Sequence, residues 1–131
     1  MAKWVLPDTI EEIKTMGLVT EQLYHRGNAL DDYQKKCLKL AIFPKDKALV
    51  YLGLKLAGEA GEVAEKIGKN IRDGGQLDDL GLAKELGDVM WYIAVLAEHL
   101  GYDLSEIADM NIKKLNDRKE RNVLGGSGDN R

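Results

Sequence analysis

An all-α domain built from four helices is the architecture that the punctuation and hydrophobic periodicity of this chain predict. Only two prolines occur, Pro7 and Pro44, and between Pro44 and Arg121 the breaks are glycine-based, which suits long helices better than a sandwich with regular turns. Apolar residues recur at helical spacing through most of that stretch. Size agrees: 131 residues, 44% apolar and 31% charged, make one domain large enough to bury a core without staples.

Residues 1–28 are expected to form an N-terminal arm or a short helix, because Asp8-Thr9-Ile10-Glu11-Glu12 resembles a helix start while Gly17 and Gly27 interrupt any longer pattern. The helical domain then spans 29–121. Its first helix runs from about Asn28 to Leu40 and breaks at Phe43-Pro44-Lys45; its second runs from about Asp46 to Arg72 and stops at Asp73-Gly74-Gly75. The third runs from about Leu77 to Leu100, with Gly101 closing it, and the fourth from Ser105 to about Arg121, with Ser105 or Asp103 as N-cap. Residues 122–131 form a Gly-rich, polar tail.

On the second helix Leu49, Leu52, Leu56, Ala60, Val63, Ala64, Ile67 and Ile71 share one stripe, the expected core face. The third helix carries a stripe of Leu82, Leu86, Val89, Ile93, Leu96 and Leu100, and places Trp91, Ala94 and Val95 on the other side. A helix apolar on both sides needs cover on both sides, so a homodimer or homotetramer formed through the helices is expected.

Several function classes are disfavoured. The single Cys37 cannot form an internal disulfide or a thiolate metal cage. With 19 basic against 22 acidic residues, the average surface repels duplex nucleic acid. Asp8, Glu11 and Glu12 stand where a signal peptide needs its apolar run, and the stretch Val89 to Ala97 is too short to span a membrane. The expectation is a cytoplasmic protein.

An internal echo carries the chemistry. Leu56-Ala57-Gly58-Glu59-Ala60-Gly61-Glu62-Val63 returns 26 residues later as Leu82-Ala83-Lys84-Glu85-Leu86-Gly87-Asp88-Val89. Both copies set two acids three apart, hence about 60° apart on one flank of a helix, with a glycine before the second acid where backbone or ligand can approach closely. If the two helices pack antiparallel, four carboxylates converge, and only a cation relieves their repulsion. All-oxygen ligation selects hard ions, Mg²⁺ or, as a substitute, Mn²⁺. The competing reading is of ordinary helix-surface acids, supported by the i,i+4 pairs Glu62 with Lys66 and Glu65 with Lys69.

These residues resemble the MazG-type all-α nucleoside triphosphate pyrophosphohydrolases, marked by ExxE, a spacer, then ExxD. Here Glu59-x-x-Glu62 and Glu85-x-x-Asp88 are separated by the 22 residues 63–84. The likeness continues through Leu30-Asp31-Asp32-Tyr33-Gln34, Gly53-Leu54, Trp91-Tyr92, Asn111-x-x-Lys114-Leu115 and the ending Gly126-Ser127-Gly128-Asp129-Asn130-Arg131. Gly58 departs from it, since many members carry another Glu there.

The resemblance implies a MazG-like bundle that oligomerises and binds Mg²⁺ through Glu59, Glu62, Glu85 and Asp88. It implies splitting of a nucleoside triphosphate, a dNTP above all, into monophosphate and pyrophosphate by a metal-activated water attacking the α-phosphorus. Glu59 or Glu62 orients that water, and the sequence leaves both open. Cationic and polar donors must supplement the metal: Asn111 and Lys114 by the family pattern, with Lys69, Arg72 and Arg118 as basic neighbours and Arg131 as a guanidinium suited to phosphate. Trp91 and Tyr92 fit core or interface packing better than stacking on a base. Two alternatives stand beside this reading: a non-catalytic helical assembly module, and a dUTPase-like or purine (dGTP)-selective pool enzyme.

Overall fold

The computed structural model of the chain describes residues 28–128. Among them α1 (Ala29–Leu38), α2 (Ala48–Asp73), α3 (Asp79–His99) and α4 (Leu104–Glu120) follow in order, and a 3₁₀ turn at Lys45–Lys47 leads into α2. The expected N-terminal arm lies outside the described residues except for Asn28, as do Asp129, Asn130 and Arg131.

Local chemistry sets the helix ends within two residues of the sequence expectation. Asn28 opens α1 by accepting from the Leu30 amide at 3.0 Å, and Asp78 opens α3 by accepting from the Gly81 amide at 2.9 Å. The cap of α4 is Asp103, whose amide donates to Glu106 Oε2 at 2.8 Å in a capping box. Helices α3 and α4 end in the same left-handed motif: Tyr102 N–H donates to Ala97 O at 3.0 Å past Gly101 (φ 81°), and Val123 N–H to Arg118 O at 2.8 Å past Asn122 (φ 57°).

Helices α2 and α3 form an antiparallel hairpin across a short loop containing Gly74 and Gly75. Among the described elements the backbone of α2 approaches only α3 and the 3₁₀ turn, whereas α1 lies against both α3 and α4. Cys37, Ala48, Leu52, Ala94, Val95, Ala97 and Leu104 make the buried core, which therefore sits at one end of the hairpin, between the first turns of α2 and the last turns of α3.

Two expectations about the core change. The long stripe of α2 is fully buried only at Leu52, while Ile67 is 39% and Ile71 78% exposed. On α3 the core side is the one carrying Ala94 and Val95, and Leu86, Ile93 and Leu100 of the expected stripe stay exposed at 50%, 37% and 53%. Among the described helices, length accounts for both. The 10-residue α1 and the 17-residue α4 cover only part of a hairpin whose arms are 26 and 21 residues long.

A polar clamp ties α1 to the rest. The buried amide of Gln34 donates to Ala94 O and Tyr102 O, each at 3.1 Å, and accepts from the Leu104 amide at 2.9 Å. Asp31 accepts from the Ser105 amide at 2.9 Å and from its hydroxyl at 2.8 Å. Leu104 and Ser105 are first-turn residues of α4, whose amides have no partner within the helix, so α1 satisfies donors that α4 cannot.

Candidate metal centre

Antiparallel packing puts the level of Glu59 on α2 opposite Glu85 and Asp88 on α3. One carboxylate oxygen from each of the three lies within 4.8 Å of the others. The Glu59 and Glu85 side chains are only 12% and 16% exposed. Three carboxylates this close, two of them largely withdrawn from water, repel one another.

Among the described residues two cations meet this cluster. Lys55 Nζ lies 3.3 Å from Glu59 Oε1, one turn earlier on α2, and Lys66 Nζ reaches across the hairpin to Glu85 Oε1 at 3.4 Å. The Lys66 contact replaces the Glu62–Lys66 pair expected from i,i+4 spacing as the one this ammonium makes, because the α3 carboxylate is delivered to it by the hairpin register. Lys55 also sits 5.7 Å from the Tyr92 ring centroid. Its hydrogen bond to Glu59, followed by the influence of Tyr92, pushes its pKa up and keeps it charged.

Aromatic groups border the cluster on its core side. The Trp91 and Tyr92 rings meet edge to face at 4.9 Å and 82°, and Phe43 stacks on Tyr51 at 6.1 Å and 16°. Burial pushes the Tyr33 phenol of α1 up to about 12, helped by its hydrogen bond to Cys37, the Cys37 charge and then the Asp88 charge. The repulsion from Asp88 brings the α1 motif into the electrostatic field of the acids. The sequence names Lys66 only as a partner of Glu62 and Tyr33 only as part of the family likeness, and gives Lys55 no role; Lys55 and Glu59 stand at i,i+4, the signal that finds that pair.

The other sequence candidates divide. Glu62 is exposed and is not part of the three-carboxylate group, so the expected convergence of four acids becomes one of three. Glu62 stands about 60° round α2 from Glu59 on the exposed side, whereas Glu85 and Asp88, the same step apart on α3, both reach the seam. A Cβ built at Gly61 or Gly87 meets no heavy atom within 4 Å, so these glycines mark open space here and no close approach of α2 to α3. Lys69 pairs with Glu65 at 2.8 Å, about 15 Å along α2 from Glu59.

On α4, Asn111 is exposed and Lys114 half-buried. Arg118, a candidate substrate contact in the sequence, is 4% exposed and donates to Gly128 O at 3.0 Å, folding part of the Gly-rich tail against α4. Arg131 lies outside the described residues.

The donor set fits a hard divalent cation. Octahedral ligand oxygens about 2.1 Å from Mg²⁺ lie at most ~4.2 Å apart, a small rotamer adjustment from the spacing seen here. Oxygen-only donors exclude the soft-metal sites that need sulfur.

The sequence profile of the MazG nucleotide pyrophosphohydrolase domain matches residues 50–123, from the first turn of α2 to just past α4, and includes all three acids. The chain belongs to this family, and so is a nucleotide pyrophosphohydrolase, an NTP diphosphatase, by class. The Gene 37 protein of Mycobacterium phage L5 is 43% identical over 114 residues, covering 78% of this chain and 98% of that protein. No solved structure matches the chain. No helix among the described residues is long and apolar enough to cross a membrane.

Proposed function

We propose that this protein hydrolyses nucleoside triphosphates, deoxynucleotides above all, to monophosphate and pyrophosphate in the cytoplasm, using Mg²⁺ or Mn²⁺ bound by Glu59, Glu85 and Asp88. The observation that carries the reading is the gathering of these three carboxylates across two helices of a MazG-family chain. When bound, the cation neutralises phosphate charge and makes a water more acidic. Glu62, exposed one turn beyond Glu59, orients that water and draws off its proton. The water oxygen bonds to the α-phosphorus as the bond to the α,β-bridging oxygen breaks, and pyrophosphate leaves.

Asn111, Lys114 and Arg131 are the proposed substrate contacts. Lys69 is set aside because it already pairs with Glu65 far from the acids, and Arg118 because it is buried against the tail.

A second copy of the chain is the proposed cover for the projecting hairpin end, in a homodimer or homotetramer. Exposed Ile71 (78%), Leu80 (69%), Leu86 (50%) and Met90 (47%) support this. A 14.6 kDa mass by light scattering at every concentration contradicts it.

Pyrophosphate release from a panel of nucleotides, with and without Mg²⁺, tests the activity. Metal-dependent release is expected, and a preference for dUTP or dGTP would mark a selective pool enzyme. A folded chain that releases no pyrophosphate from any nucleotide overturns the reading in favour of an assembly module.

A further inference from the structure

Lys55 and Lys66 hold places that the proposed reaction does not yet use. Each contacts an acid of the cluster, each is the more exposed partner of its pair (44% against 12%, and 39% against 16%), and they approach from the two ends of the seam. Along α2 they are separated by 11 residues, about 16 Å, with Glu59 between them. The three acids and two ammoniums together carry one negative charge.

We propose that Lys55 and Lys66 are exchangeable counter-ions of the acidic centre, neutralising Glu59 and Glu85 in the metal-free chain and passing to the triphosphate once a divalent cation takes those carboxylates. This rests on the proposed function, and adds two substrate-binding residues and a coupling between metal and nucleotide.

Distances favour the exchange. A half-exposed lysine pair at 3.3–3.4 Å is weak, and a doubly charged ion in direct contact with the same oxygens displaces it. The released ammoniums sit on flexible four-carbon stems at the solvent side of the acids, from which a polyphosphate must enter. They remain charged, and with one divalent ion they turn the cluster from net negative to net positive, the sign a triphosphate requires. The order of events follows: metal first weakens the lysine pairs, and nucleotide then rewards their loss.

The test measures Mn²⁺ binding without nucleotide, by the electron-spin resonance of the free ion, in wild type, K55M and K66M. Methionine keeps the apolar stem beside Tyr92 and removes the charge. Both variants are expected to bind Mn²⁺ about two- to fivefold more tightly, since a competitor is gone. The same variants should bind an α,β-imido deoxynucleoside triphosphate in Mg²⁺ about tenfold more weakly, as loss of a charged contact dictates. K55R and K66R should restore both values, with circular dichroism confirming equal helicity. Unchanged or weaker Mn²⁺ binding in the methionine variants overturns the exchange, and unchanged analogue binding overturns the phosphate role. Failure of wild type to release pyrophosphate would count against the catalytic reading alone, because neither binding measurement depends on turnover.

Discussion

The two ends of the α2–α3 hairpin are built from similar residues and meet different fates. At the end nearest α1 and α4, Leu52 and Val95 are 0% and 1% exposed; at the loop end, Ile71 and Leu80 are 78% and 69% exposed. Composition does not separate them, and what differs is whether another of the described helices reaches that far. The acids lie between the two, with packed aromatic rings on one side and uncovered aliphatic residues on the other. A site at such a boundary has one firm wall and one that the proposed second copy completes.

The largest expected effect falls on the boundary itself. Asp88→Asn should lower kcat by about 100-fold or more, measured as pyrophosphate release, because a carboxamide packs like the acid but holds Mg²⁺ poorly. Helicity should be unaltered, and the metal-free variant should melt no lower than wild type, since a mutually repelling charge is gone.

The packed and projecting ends should then separate cleanly under truncation. Leu52→Ala is expected to destabilise the fold by about 2–5 kcal/mol in urea, whatever the protein concentration. Ile71→Ala should cost within about 0.5 kcal/mol in the dilute chain and act mainly on assembly, read as a lower mass in light scattering. Equal destabilisation by both, independent of concentration, would erase the distinction between the two ends.

Gln34→Ala probes how the packed end is closed. It leaves the Leu104 amide and the Ala94 carbonyl short of a partner and should cost about 1–3 kcal/mol. The smallest effect concerns Tyr33. Its folded pKa, about 12, lies above the ordinary value of 10.0. Its contribution to stability is therefore complete below pH 10.0 and is lost as pH rises towards about 12. Tyr33→Phe should remove one late-ionising phenol from the ultraviolet titration and flatten that part of the stability profile.

Helix positions and the twin segments from which three carboxylates come together are legible in the sequence for physical reasons that are local. Caps such as Asn28 and Asp78, the glycines at 74, 75 and 101, and the twin acid segments all act within a turn or two of themselves. What escaped depends on register between helices. Lys66 pairs with Glu85 because α3 presents that acid to it, and spacing along α2 alone points to Glu62. Gln34 looks like any polar helix residue until α3 and α4 supply its three partners. Arg118 reads as a substrate contact beside Lys114, and is buried because the chain turns back at Asn122 and brings Gly128 over it.

The central claim is that the carboxylates of Glu59, Glu85 and Asp88 serve a metal-dependent attack of water on the α-phosphorus. Turnover of a deoxynucleoside triphosphate in ¹⁸O-water, followed by ³¹P NMR with Mg²⁺ and again with EDTA, tests it most directly. The account predicts monophosphate and pyrophosphate with the label in the monophosphate, and no reaction in EDTA. Label in the pyrophosphate, release of single phosphate, or undiminished turnover in EDTA would contradict it.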